Sequence, residues 1–267
     1  MIFVIHAPVP YTHRSGGVRA LYELANELRK RQQDVGIASI GPPRRHDPDP
    51  HQLPDADTWA QDKLEEAIHI YPEIVATKRI QERRIVRWLL NSEQHRPRKD
   101  ELQFVWTPHL KADRQRLTVN IIEVDIFKPS HETRTNILWY GGKGAHLARD
   151  IPREAIQITS GWPATRIDIA DELNRAQQLI SFDGFSAINL EATLCGAPVL
   201  IPSITGARRP PDPLFPLPGV AYGEHEWEQA QRTVEQAAEI YRTATRRMDR
   251  LIDDFVDTCD RHFRSIG

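Results

Sequence analysis

Apolar positions along the chain fall into short, nearly continuous runs separated by stretches with three-to-four spacing, the pattern of strands alternating with helices. The first run, residues 1–6, alternates too little to be half exposed and predicts a central strand. A loop with Pro8 and Pro10 follows. Ser15-Gly16-Gly17 then opens a helix with Val18, Leu21, Ala25 and Leu28 at core spacing, and 34–39 is the next strand. Strand, glycine-bearing loop, helix and strand is how a doubly wound sheet begins. Further runs predict strands at 67–71, 102–106 and 117–122, and a helix over 80–90. A second series starts at Asn136, with strands at 137–140, 155–158, 179–182 and 199–201. Between them lie a helix capped by Thr165, with Asp168 at its third position, and a short helix over 186–195. From about Glu226 the series Trp227, Ala230, Val234, Ala237, Tyr241, Met248, Ile252, Phe255, Cys259 and Phe263 is amphipathic without a Pro or Gly, predicting one long terminal helix.

Two turns carry candidate chemistry. Gly141-Gly142-Lys143-Gly144 follows the strand at 137–140, and a glycine turn with one lysine at a strand's carboxyl end suits a diphosphate, although surface turns share this composition. Asp183-Gly184 follows the strand at 179–182, with Ser186 as a helix cap and Gly196 as a helix stop. The unpaired N–H groups of that helix start therefore emerge just past Asp183, where phosphate is favoured. Glu191 stands among Leu190, Ala192 and Leu194. A carboxylate in such surroundings requires water, a partner or a ligand, and the alternative is a crossover helix whose one acid faces solvent.

Composition narrows the function classes. The chain of 267 residues has room for one large domain or two small ones, and its 40% hydrophobic content contains no run long enough to span a membrane. No signal peptide is recognisable at the start, so a cytoplasmic protein is expected. Lys plus Arg total 35 against 37 acids, so no global charge demands nucleic acid or an anionic membrane. The local exception is the basic flank of the helix expected at 80–90, formed by Lys78, Arg79, Arg83, Arg84 and Arg87. Over 78–87 such a patch suits peripheral membrane or nucleic-acid contact, or is simply a charged solvent face. Cys195 and Cys259 read as reduced core thiols. His46 and His51 lie in a proline-rich loop with no apolar frame, so no metal site is expected.

Asp183 and Glu191, seven residues between them, followed by Ala192 and Cys195-Gly196-Ala197-Pro198-Val199, resemble the Glu-x7-Glu signature and tail of GT-B glycosyltransferases of the retaining family 4. Gly16-Gly17-Val18 with the helix start at 21–25 is similar to the first loop and helix of that family. The resemblance implies an α/β fold of two Rossmann-like lobes facing across a cleft: an acceptor-side lobe at 1–125, a nucleotide-sugar lobe at 126–225, and a terminal helix, 226–267, crossing back onto the first lobe. The implied activity is transfer of a sugar from a nucleotide-diphosphate donor to an acceptor hydroxyl, retaining, with no metal or other cofactor. By position, Glu191 would hold ribose, Asp183 would meet the sugar, and Gly184, Phe185, Ser186 and Ala187 would line the donor. Gly16 and Gly17 would face its phosphates and Trp162 its base. Lys143, beside Gly142, stands where the family has an arginine, with Arg149 and Arg166 as further cations. Glu73 takes the acceptor-side position where the family often has a histidine. Asp183 in place of Glu and the missing arginine leave open a nucleotide-sugar-binding module without transfer, as well as an epimerase or phosphorylase of the same architecture. The basic segment leaves open a transferase acting on nucleic acid. The resemblance leaves the acceptor open among a glycan, a lipid-linked group and a polymer.

Overall fold

Nearly all the short apolar runs become parallel strands, because β-branched and aromatic side chains buried on both faces of a sheet leave no polar edge to expose. The computed structural model describes all residues except 9–10, 42–48, 77–79, 93–95, 108–109, 112, 210–211, 213–216 and 265–267. The chain divides into two units, Met1–Ile121 with Thr245–Gly267, and Ile122–Ala244.

The first unit holds β1 (Ile2–Ala7), α1 (Gly16–Lys30), β2 (Asp34–Ser39), α2 (Gln61–Glu66), β3 (Ile68–Pro72), β4 (Ile85–Leu89), β5 (Leu102–Val105) and β6 (Gln115–Arg116). Its sheet runs β2-β1-β3-β4-β5-β6, with every pair parallel. The chain leaves β1 for β2 on one side and returns to β3 on the other, so the order reverses between β1 and β3. Ser15 caps α1 by accepting from the Val18 N–H at 3.3 Å, and the helix presses Leu21, Leu24 and Leu28 onto Phe3, Ile5 and Ile70.

The second unit holds β7 (Asn136–Tyr140), β8 (Ile156–Ile158), α3 (Arg166–Asn174), β9 (Ala176–Ser181), α4 (Ala187–Leu194), β10 (Val199–Ile201), β11 (Val220–Tyr222) and α5 (Trp227–Thr233). Its sheet runs β11-β10-β9-β7-β8, again parallel, and its order reverses between β7 and β9. Thr165 and Asp168 form the expected capping box on α3. Helix α6 (Ala237–Arg264) begins in this unit and belongs to the first from Thr245 onward. There Ile252, Phe255, Cys259 and Phe263 enter the core, with the Phe255 ring 6.0 Å from Phe3 and 4.9 Å from Phe104. The α/β class, the two parallel sheets and the long terminal helix packing on the first unit agree with the sequence reading. No helix among the described residues is long and apolar enough to cross a membrane.

Three local expectations are corrected. Residues 80–90 hold no helix: 85–89 are β4, buried at every position, and Arg83 alone of the described basic residues stays exposed, ahead of the strand. Arg87 is buried and paired with Glu101, and Arg84 donates to the Glu66 carbonyl at 2.9 Å, while Lys78 and Arg79 lie outside the described residues. The membrane and nucleic-acid readings of 78–87 therefore lose their helix. Residues 117–122 form no strand: the Leu117 N–H still bonds the Val105 carbonyl at 2.9 Å, but the Leu117 carbonyl accepts from the Trp88 indole at 2.9 Å and the Thr118 hydroxyl donates to the Trp106 carbonyl at 2.6 Å, side-chain bonds to distant segments in place of a continued ladder. The terminal helix is broken by a 3-10 step, Val234–Gln236. Just before it, the Thr233 hydroxyl bonds back to the Gln229 carbonyl at 2.9 Å and accepts from the Gly219 N–H at 3.0 Å, a back-bond of the kind that bends helices.

Arg87 shows what replaced the expected surface charge. Its guanidinium meets Glu101 twice, at 3.0 and 3.1 Å, and donates to the carbonyls of Pro72 and Val75, each at 2.9 Å. Both side chains are at most 3% accessible. Removing one partner leaves a buried uncompensated charge, so Glu101→Ala is expected to cost about 3–5 kcal/mol, whereas replacing both by Met and Leu recovers most of the loss. Denaturant unfolding of the single and double variants checks this, and a single-variant loss below about 1 kcal/mol, the range of an exposed pair, contradicts it.

Candidate functional site

Ligands of doubly wound sheets bind outside the carboxyl ends of the strands, where the order reverses. In the second unit that place lies beyond β7 and β9, whose last residues Tyr140 and Ser181 pair directly. The two turns singled out from sequence are the two that leave these strand ends.

Their approach is close enough to require glycine. A side chain at Gly144 would place its Cβ 1.9 Å from the Phe182 carbonyl oxygen, and one at Gly142, where φ is +50°, would lie 2.6 Å from both Cβ and Oδ2 of Asp183. Asp183 clasps the turns together: Oδ2 accepts from the Lys143 N–H and Oδ1 from the Phe185 N–H, each at 3.2 Å. Its own carbonyl accepts from the Asn189 amide at 2.8 Å and from the Ser181 hydroxyl at 3.1 Å. Sequence reasoning passed over Asn189, which faces the turn from one helical turn inside α4. It also passed over Tyr222, whose hydroxyl donates to the Gly184 carbonyl at 3.2 Å from β11, a strand the sequence reading did not place.

Helix α4 starts at this spot. Ser186 sits at its N-cap but its hydroxyl makes no capping bond, unlike Ser15 on α1 and Thr165 on α3. The first turn of α4 thus keeps N–H groups directed at the strand ends. The Lys143 side chain is exposed at the same turn. Phe185 and Trp162 are exposed at 54% and 38%, Phe185 between β9 and α4 and Trp162 in the loop beyond β8, at the same end of the sheet. Arg149 is exposed after the 3-10 turn Gly142–Leu147.

Glu191 is 2% exposed, and the partner its surroundings demanded is Arg166, 2.9 Å from Oε1. The same Nη2 meets Glu123 at 2.6 Å, and the guanidinium lies 4.3 Å from the centre of the Phe127 ring. Burial by itself would lower the pKa of Arg166, but Glu191 and Glu123 raise it. Arg166 therefore stays charged as a buried bridge, which corrects its expected place as a phosphate cation.

Gly16, Gly17 and Glu73 belong to the first unit and lie near its own point of reversal. Gly16 and Gly17 start α1, and neither has a positive φ or a neighbour closer than 3.8 Å to an added Cβ. The fold thus makes no demand for glycine at either position. Glu73, just past β3, is 6% exposed and accepts from the Leu90 N–H at 3.1 Å. Burial pushes its carboxyl above the ordinary value, against the pull of backbone N–H groups and Arg87. A cavity of about 720 Å³ lies elsewhere in this unit, lined by Arg98, Lys99, Glu101, Gln103, Arg114 and His262 among others, and none of the candidate residues borders it.

No family model matches the sequence, and no curated protein matches it. Among solved structures, the fold is similar to MurG of Acinetobacter baumannii at 11% identity and a TM-score of 0.44, over 95% of this chain and 99% of that one. It is similar to the spinosyn rhamnosyltransferase SpnG at 12% identity and a TM-score of 0.41, over 98% of this chain and 100% of that one. The glycosyltransferase SnogD from Streptomyces nogalater shares 13% identity at a TM-score of 0.36, over 100% and 99% of the two chains. At such identities no residue role passes from those proteins to this chain.

The two sets of glycines should respond oppositely to alanine. Gly144→Ala forces a methyl into a backbone carbonyl and is expected to cost about 2–3 kcal/mol or more, whereas Gly17→Ala, unhindered in a helix, gains about 0.5–1 kcal/mol. Thermal unfolding checks both, and a destabilised Gly17→Ala would show that the fold does need that glycine. For Glu73 the sign follows from its raised pKa. The folded state binds the proton more tightly than the unfolded state, so a cost sets in as pH rises past the ordinary 4.5 and is complete above the folded value. Glu73→Gln should therefore gain more stability relative to the parent at about pH 7 than at about pH 3, as read from denaturant curves at the two pH values.

Proposed function

We propose that the chain is a glycosyltransferase that moves a sugar from a nucleotide-diphosphate donor to an acceptor hydroxyl, with retention at the anomeric carbon and no metal at the donor phosphates. The observation that carries this reading is the meeting of a glycine-lysine turn and an uncapped helix start at the carboxyl ends of β7 and β9. As the sugar leaves, negative charge grows on the diphosphate. Fixed N–H dipoles at the start of α4 and the Lys143 ammonium stabilise charge developing at that place without reorganising. Phe185 and Trp162 offer faces for the flat or apolar parts of the donor. Glu191, its orientation fixed by Arg166, is the acid for the ribose hydroxyls. Glu73, with its raised pKa, is suited to exchange a proton on the acceptor side.

A second reading, a nucleotide-sugar-binding module without transfer, is favoured by Asp183. Both of its oxygens accept backbone N–H groups, so it acts as a clasp between turns and not as a free acid beside a sugar.

A panel of nucleotide sugars screened by thermal unfolding tests the shared premise. A ligand held only by the folded state adds about 2.7 kcal/mol of stability at a hundredfold excess over Kd. At least one donor should raise the melting temperature, and Lys143→Ala should weaken that donor by about tenfold or more, the contribution of one hydrogen bond to a charged group. A panel with no stabilising member, or a Lys143→Ala variant binding as tightly as the parent, would remove the assignment. Release of free nucleotide from the bound donor, with or without acceptor, then separates the transferase from the module.

A further inference from the structure

The first unit carries a cluster of metal-ligand side chains that the donor site does not use. Strands β1 and β3 pair with Val4 opposite His69, so Val4, His6, His69 and Tyr71 point to one face of the sheet. On that face the rings of His6 and Tyr71 stack at 3.8 Å with 11° between planes, and His6 Nε2 lies 3.0 Å from His69 Nδ1. His69 Nε2 lies 2.9 Å from the Leu64 carbonyl oxygen. A carbonyl can only accept, so the His69 proton sits on Nε2 and its Nδ1 presents a bare lone pair to His6. Glu82, ahead of β4, completes the group: the ligand atoms of His6, His69 and Glu82 all lie within 4.8 Å of one another. Its Oε2 is buried and accepts no hydrogen bond among the described residues.

We propose that His6 Nε2, His69 Nδ1 and the Glu82 carboxylate form a binding site for a divalent transition-metal ion of the zinc class, with water as a fourth ligand. Two neutral imidazoles and one carboxylate are a donor set that such ions select, and three protein ligands leave one position open. The surroundings are those of a supported site. Leu64 fixes the tautomer of His69, and the Tyr71 ring stacks on His6 and holds its orientation. Arg87 opposes a second cation, but its charge is offset by the two bonds to Glu101. Metal bonds of about 2.05 Å at a tetrahedral angle put two ligand nitrogens roughly 3.3 Å apart. From their 3.0 Å the rings part by a few tenths of an ångström and turn so that both lone pairs point at the ion, as the His6 proton moves from Nε2 to Nδ1 and no proton is lost. A hydrogen-bonded histidine pair closing a sheet face accounts for the rings but leaves the buried Glu82 oxygen unexplained.

Chelator-treated full-length protein titrated with Zn²⁺ by calorimetry is expected to take up one ion per chain. Co²⁺ in the same site should give visible absorption bands. Glu82→Gln and His69→Ala should each lower affinity by about a hundredfold and abolish the bands, while His51→Ala, at a histidine paired with Glu23 elsewhere, changes neither. Circular dichroism checks folding, and because Glu82 is only partly buried, Glu82→Gln carries the test if His69→Ala does not fold. Absence of stoichiometric uptake by the parent, or unchanged uptake by Glu82→Gln, overturns the proposal.

Discussion

The contact on which the candidate site depends is backbone against backbone. Gly144 lies so near the end of β9 that even a methyl group would overlap the Phe182 carbonyl. Reversal of strand order between β7 and β9 opens a gap at the carboxyl edge, since the chain leaves one strand in one direction and returns to its neighbour from the other. Here two glycine turns close part of it with peptide groups, and the Asp183 carboxylate ties them by accepting an N–H from each. The result is a rim of fixed dipoles beside an uncapped helix start, a surface polar in composition yet held rigidly.

Buried charge is handled by the same logic in both units. Arg166 joins Glu191 of α4 to Glu123 at the unit's beginning and lies against Phe127, and Arg87 joins β4 to Glu101 while satisfying the carbonyls of Pro72, at the end of β3, and Val75, just past it. In each case a planar guanidinium meets acceptors supplied by separate segments, which fixes their mutual position at the cost of desolvating a charge. Glu191 is thereby held in one orientation by a charge partner supplied from α3. The face of the first sheet that bears His6, His69 and Glu82 differs in that one buried oxygen has no hydrogen-bond donor among the described residues. That imbalance sets it apart from the two arginine centres.

The sequence by itself determined the class and most of the elements. Residues 34–39 and 199–201 are strands at the expected bounds, α3 begins at its capping box, and the glycine turn and the Asp183 turn sit at strand ends as expected. These features depend on neighbours a few residues apart, and local chemistry suffices to specify them. Residues 80–90 failed because charge at Arg87 reads as an exposed helical face until Glu101, fourteen positions later, is seen beside it. Likewise the need of Glu191 for a partner was legible, but the identity of Arg166, twenty-five positions earlier, was not. His6 and His69 are sixty-three positions apart and meet only because β1 and β3 pair in one register. Tertiary structure alone decided which charges are buried in pairs and which ligand atoms converge, since both follow from strand order and register, and neither is encoded in the spacing along a single segment.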